Sequence, residues 1–211
     1  MENESNNLSE CVSSVRDAES STDVSEKISE ESVYVPEDDE LVLIKNHIPN
    51  IALDIRYATE NNFTKQVIYT SSDAYLRYGT VKKLAAVQNE LNSLGYSLLI
   101  WDAYRPTEAQ WKLWAVCPDP SYVSDPSKGY SGHSRGDTID VTLISLDGEE
   151  IEMPSGFDEF GNAADRDYSD VSTTAAENAK LLERVMEKHG FNGYRKEWWH
   201  FSDTVRYEVA E

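Results

Sequence analysis

Cysteine is nearly absent from this 211-residue chain: Cys11 and Cys117 stand alone, far apart. Two such residues make neither a disulfide framework nor a CxxC metal knuckle, and they leave the compartment open. No run of eighteen apolar residues occurs, which excludes a spanning helix. The N-terminus has no basic-then-apolar signal pattern. The chain as written is therefore expected to be soluble and cytoplasmic; the alternative is an exported or membrane-tethered protein whose signal lies outside this chain. Basic residues are scarce, 19 Lys and Arg against 39 Asp and Glu, for a formal net charge of −20. That balance argues against nucleic acid and anionic membrane surfaces as partners.

The charge is uneven. Residues 1–40 hold 13 acidic and 2 basic side chains, a net of −11, leaving −9 for the rest. The segments "AESSTDVSEKISEESV" and "PEDDE" show no apolar period. Such a stretch buries too little surface to offset its ordering entropy, so residues 1–38 are expected to form a disordered acidic tail or spacer. Residues 39–211 are the expected folded domain.

Within it, "LVLIKNHI" at 41–48 reads as a strand. "TVKKLAAVQNELNSLG" has helical apolar spacing and ends at Gly95. "YSLLIWDAY" reads as a buried strand, and Pro106 suits the first turn of a short helix. "TIDVTLISL" alternates as a strand, with Asp147-Gly148 as a tight turn into "EEIEM". "TAAENAKLLERVMEKHG" is the clearest helix, with Thr174 and Glu177 spaced as a capping box. "EWWHFSD" reads as a last strand. Helices and hairpin-linked strands in mixed order give an α+β domain with flanking helices around a central antiparallel sheet.

Only four histidines exist. His189 falls in the last turn of its helix, where the dipole favours a cation. His47 suits a packed or surface role. His133 lies in the glycine-rich "KGYSGHSRGDTIDVTL", seven residues before Asp140, a carboxylate flanked by Ile139 and Val141. A carboxylate in an apolar strand needs a partner, either a metal or an arginine. His200 ends "EWWH", three residues after Glu197. His133, Asp140 and His200 match a common zinc inventory that leaves a fourth position for water. Glu197, beside two indoles, would then carry a raised pKa and act as general base on a metal-bound water. The tryptophans would build the dry wall of the site. The plainer alternative is a strand with its tryptophans in the core. Arg105, at a strand end in "WDAYRPTEAQ", can hold a developing oxyanion or simply pair with Asp102.

Three of these elements together resemble one family. "SGHSRGDTID" is similar to the SxHxxGxAxD motif of the D-alanyl-D-alanine dipeptidases of the VanX type; "EWWH" is similar to their ExxH motif, and "DAYRP" to their strand-end arginine motif. "IRYATENNFT" resembles their N-terminal segment. The likeness spans roughly residues 41–205. It implies a DD-peptidase/Hedgehog-like fold and a zinc dipeptidase of cell-wall metabolism acting on D-Ala-D-Ala, in glycopeptide resistance or in recycling. By the same likeness one zinc is held by His133, Asp140 and His200, Glu197 is the base, and Arg105 stabilises the transition state. Ser131 would meet the substrate carboxylate, and Tyr57 and Asp158 its ammonium. Thr138 departs from the motif's alanine and adds a hydroxyl beside the ligand strand. Rival expectations are a D,D-carboxypeptidase or endopeptidase on peptidoglycan stems, a non-catalytic zinc-binding module, and an acidic scaffold working through its tail.

Overall fold

The computed structural model describes residues 34–120 and 122–210. Most of the acidic tail, residues 1–33, lies outside the described residues. Asp38 is bound to the domain: its carbonyl accepts from Gly79 N at 3.0 Å and its carboxylate pairs with Lys82.

The chain begins with β1 (Leu41–Leu43) and runs straight into α1 (Ile44–His47). The expected single strand over 41–48 is thus split. Ile44 and Ile48, four apart, are both buried, while Lys45, Asn46 and His47 are exposed, which is one helical turn. A short apolar run does not distinguish the two periods by itself. After β2 (Ala52–Leu53) and a 3₁₀ turn (Arg56–Ala58), β3 (Tyr75–Arg77) pairs with β1. The helix α2 (Tyr78–Ser93) follows, closed by Gly95 at φ 90°. Then come β4 (Tyr96–Asp102), α3 (Thr107–Val116), the single turn α4 (Gly132–Arg135), β5 (Thr138–Ser145), α5 (Thr173–Lys188), β6 (Phe191–Tyr194) and β7 (Glu197–Asp203). The α5 cap is Ser172, whose Oγ accepts from Ala175 N, and not Thr174. In "VSTTAAE" three hydroxyl residues compete for the cap, and the first one holds the extended dihedrals it needs. "EEIEM" forms no strand; a lone bridge joins Glu150 to Ile144.

Five strands form the main sheet in the order β2-β4-β5-β7-β6. It is antiparallel except at one edge, where β2 runs parallel to β4. The α+β architecture is therefore as expected, with one parallel edge strand added. Leu84, Val87 and Leu91 of α2 and Leu182, Val185 and Met186 of α5 share the core with Leu98, Ile100, Ile139, Val141, Leu143 and Phe201 of the sheet. Each such side chain contributes about 1.5–3 kcal/mol by leaving water. The sheet is thereby clamped, and it is a firm base for side chains on its remaining surface. His189 caps α5 and meets Glu90 at 2.7 Å; His47 stacks near Tyr78. Among the described residues no helix is long and apolar enough to cross a membrane.

Candidate active site

The register of the sheet builds the site. Asp140 on β5 is the direct neighbour of Asp102 on β4 and of His200 on β7. Cross-strand neighbours stand about 4.5–5.5 Å apart, so the three side chains converge. The β4–β5 ladder slips by one residue between Ile100 and Asp102. This bulge places Asp102 opposite Asp140. His133 arrives from α4, which Ser131 caps by accepting from His133 N at 3.2 Å. The backbone N–H of Arg105 donates to His133 O, tying the arginine loop to the histidine turn.

His133, Asp140 and His200 each offer a ligand atom, all within 4.8 Å of one another. His133 Nδ1 donates to Ala103 O at 2.8 Å, which leaves Nε2 with its lone pair toward the cluster. His200 presents Nδ1, 3.0 Å from Asp140 Oδ1 and 3.4 Å from His133 Nε2. Burial opposes ionisation of Asp140, but His133 and His200 outweigh it and hold the carboxyl well below the usual range. Asp140 Oδ1 is buried yet makes no hydrogen bond. A buried carboxylate with Oδ1 3.0 Å from His200 Nδ1 and Oδ2 3.4 Å from His133 Nε2 is a donor set that fits a divalent cation.

Glu197 stands beside the cluster, 3.6 Å from His200 Nδ1. Residues three apart on a regular strand face opposite sides. Here the β6–β7 ladder is irregular between Gly193 and Tyr194, and Glu197 and His200 share one cleft. Burial pushes the Glu197 carboxyl up to about 7; His200 opposes this, and the Asp140 and Asp158 carboxylates add to it. The intervening Trp198 and Trp199 are each 1% exposed and do not line the cleft. They are core residues behind it, Trp199 packing on Phe157 and Phe160. The expectation that they form the wall is corrected: Leu113, Tyr122, Val123, Phe160 and Tyr194 do so.

Arg105 is paired with Asp102, and it also faces the cleft. Its Nε and Nη2 donate to Asp102 Oδ2 at 3.2 and 2.6 Å, Nη1 donates to Gln110 Oε1, and the guanidinium lies over the Tyr57 ring. Burial works against its charge, but Asp102 more than compensates and keeps it protonated. These bonds use three of five N–H groups, and the residue lines the cleft, so donors remain. Arg105→Ala is expected to lower kcat by about 10²–10³-fold with the metal retained, and Arg105→Lys to recover only part. Steady-state kinetics beside metal analysis checks this; normal kcat with lowered stability would leave Arg105 as a structural ion pair alone.

Tyr57 OH donates to Asp158 Oδ2 at 2.9 Å. Asp158 holds φ 59° on its loop, a conformation Asp tolerates better than most residues. Burial, aided by Asp140, raises its carboxyl to about 7 against the pull of Tyr57 and Arg105. Ser131, Tyr57, Asp158, Arg105, Glu197 and the three candidate ligands thus all line one cleft of about 250 Å³. Thr138 does not line it. Its hydroxyl sits 3.1 Å from Asp137 Oδ1 and 2.9 Å from Ser202 Oγ, in the space that a Cβ on Gly132 would need. The sequence reading missed Gln110 on α3, Tyr194 at the end of β6 and the loop residues Tyr122 and Phe160 as cleft or support residues; nothing in their local sequence marks them.

Residues 37–207 match the family model described as D-ala-D-ala dipeptidase. This chain belongs to that peptidase family. It is 38% identical over 162 residues to the D-alanyl-D-alanine dipeptidase of Escherichia coli strain K12, covering 77% of this chain and 83% of that one. It is 34% identical over 168 residues to the protein of the same name from Enterococcus faecalis, covering 70% and 83%. A Streptomyces coelicolor member is 34% identical over 179 residues, covering 74% and 87%. Among solved structures, the LD-carboxypeptidase LdcB aligns with a TM-score of 0.43 at 19% identity, over 81% of this chain and 70% of that one. Family membership makes this chain a peptidase, and the cleft is its candidate active site.

Proposed function

We propose that this chain hydrolyses D-Ala-D-Ala with one zinc held by His133, Asp140 and His200. The observation that carries the reading is the buried Asp140 carboxylate clustered with His133 and His200, with a protonatable carboxylate, Glu197, beside them. Bound there, zinc would supply Lewis acidity toward the scissile carbonyl and the attacking water. Everything else falls to the chain. Glu197 takes the proton of the water and returns it to the leaving amine. Arg105, fixed by Asp102 and Gln110, offers its free N–H groups to the developing oxyanion. Asp158, steadied by Tyr57, meets the ammonium, and Ser131 keeps an O–H for the carboxylate because its cap bond uses only a lone pair.

Release of D-alanine from D-Ala-D-Ala, with and without chelator, tests this beside metal analysis. Turnover of a muramyl pentapeptide in preference to the dipeptide would move the assignment to the carboxypeptidase rival. A second expectation concerns pH. Asp158 binds an ammonium only when ionised, and its raised pKa means that the ionised form is lost as pH falls through about 7. KM should therefore rise on acidification. Asp158→Asn should raise KM at neutral pH and flatten that dependence; an unchanged KM profile would remove Asp158 from substrate binding.

A further inference from the structure

At the irregular step between β6 and β7, one side chain collects several backbone carbonyls. Arg166 lies on the loop before α5, with its side chain 7% exposed. Its Nε donates to Tyr194 O at 2.9 Å. Its Nη2 donates to Trp198 O at 3.0 Å and to His200 O at 3.1 Å. Its backbone N–H donates to Arg195 O at 3.0 Å. Four bonds from one residue thus hold the hairpin on both sides of the step that lets Glu197 and His200 face the same cleft. The guanidinium is itself fixed, lying over Phe201 at 4.3 Å and pairing through Nη1 with Glu183 of α5 at 3.3 Å. Glu183 is held in turn by Tyr168 OH. Gly193 gives the space: a Cβ there would lie 2.4 Å from Arg166 Cζ.

We infer that Arg166 is a positioning residue of this enzyme, setting the spacing of Glu197 and His200 by clamping the carbonyls of Tyr194, Trp198 and His200. A planar fork serves three acceptors at fixed angles, which a lysine ammonium on a flexible stem does not. The inference rests on the functional reading above, because it assigns meaning to the Glu197–His200 pair. Arg166 itself touches neither substrate nor metal ligand side chains; it acts through the backbone that carries them.

The test is a double-mutant cycle between Arg166→Ala and Gly193→Ala, read as dipeptide turnover and, separately, as zinc affinity by competition with a chelator. Arg166→Ala is expected to lower kcat and zinc affinity by about 10–100-fold each, the usual cost of losing a partner behind a metal ligand, with KM little changed. Gly193→Ala replaces no cleft side chain, and its added Cβ would crowd Arg166. It should cause a similar loss in the wild-type background and almost none in the Arg166→Ala background. Equal losses in both backgrounds, or normal kcat and zinc affinity in Arg166→Ala, would overturn the inference. If Arg166→Ala does not fold, Arg166→Lys replaces it: full activity there overturns the inference, and a kcat loss with an unchanged melting temperature supports it. A wild type that leaves D-Ala-D-Ala intact defeats the functional reading while the zinc-affinity cycle still decides the role of Arg166. A wild type that binds no zinc defeats both.

Discussion

Glu197→Gln is expected to keep zinc, bind the dipeptide and turn it over about 10²–10⁴-fold more slowly, the ordinary worth of a positioned general base. Glutamine preserves the shape of the side chain and its place on the irregular start of β7, but it cannot accept a proton. Zinc should remain because Glu197 stands outside the three-residue donor set, 3.6 Å from His200. Binding should persist because, on the proposed reading, Asp158 and Ser131 would meet the charged ends of the substrate. The pH dependence gives a second readout. Burial raises the Glu197 carboxyl to about 7, so the basic form is lost as pH falls through that value. The wild-type kcat should fall on that side, and the variant should lack the limb. Near-normal turnover in Glu197→Gln would remove it as the base. Loss of zinc would make it a ligand and turn attention to Asp140 as the base.

His200→Ala is expected to abolish metal binding and, with it, turnover. Three candidate ligand atoms within 4.8 Å of one another would hold an ion by cooperation; two would leave the buried Asp140 carboxylate poorly served. Elemental analysis should give about one zinc per wild-type chain and close to none in the variant. Stability gives an independent check. Ligand at a thousand times its dissociation constant stabilises the native state by about 4 kcal/mol, so added zinc should raise the wild-type melting temperature and leave that of the variant unchanged. Full zinc occupancy in His200→Ala would overturn the ligand assignment.

Much of the candidate site was legible because its residues are rare types in short motifs. With four histidines in the chain, His133 and His200 could be singled out by elimination, and Asp140 by its apolar flanks. Their convergence was not legible, since it depends on strand register: the pairing of Asp140 with both Asp102 and His200 is a long-range fact. The strand irregularities at Trp101 and beyond Gly193 leave no local pattern either, so the tryptophans of "EWWH" read as walls when they are core. Arg166 sits in "AADRDYSD", where nothing separates it from a surface charge; only the fold brings it to the hairpin. The α2 and α5 helices were readable from their apolar spacing, and the split of residues 41–48 was not, because one turn of helix and a short strand bury the same residue types.

Asp102, Asp140 and His200 lie side by side on three neighbouring strands, whereas the side chains that narrow the cleft, Tyr122 and Phe160, come from connecting loops. On the proposed mechanism, part of the chemistry thus rests on paired strands, while part of what narrows the entrance rests on loops. Loops tolerate insertion and exchange far better than paired strands. An engineer, or a mutating lineage, can widen the entrance toward longer peptides by altering the loops around residues 122 and 160 while the strands continue to deliver the same chemistry.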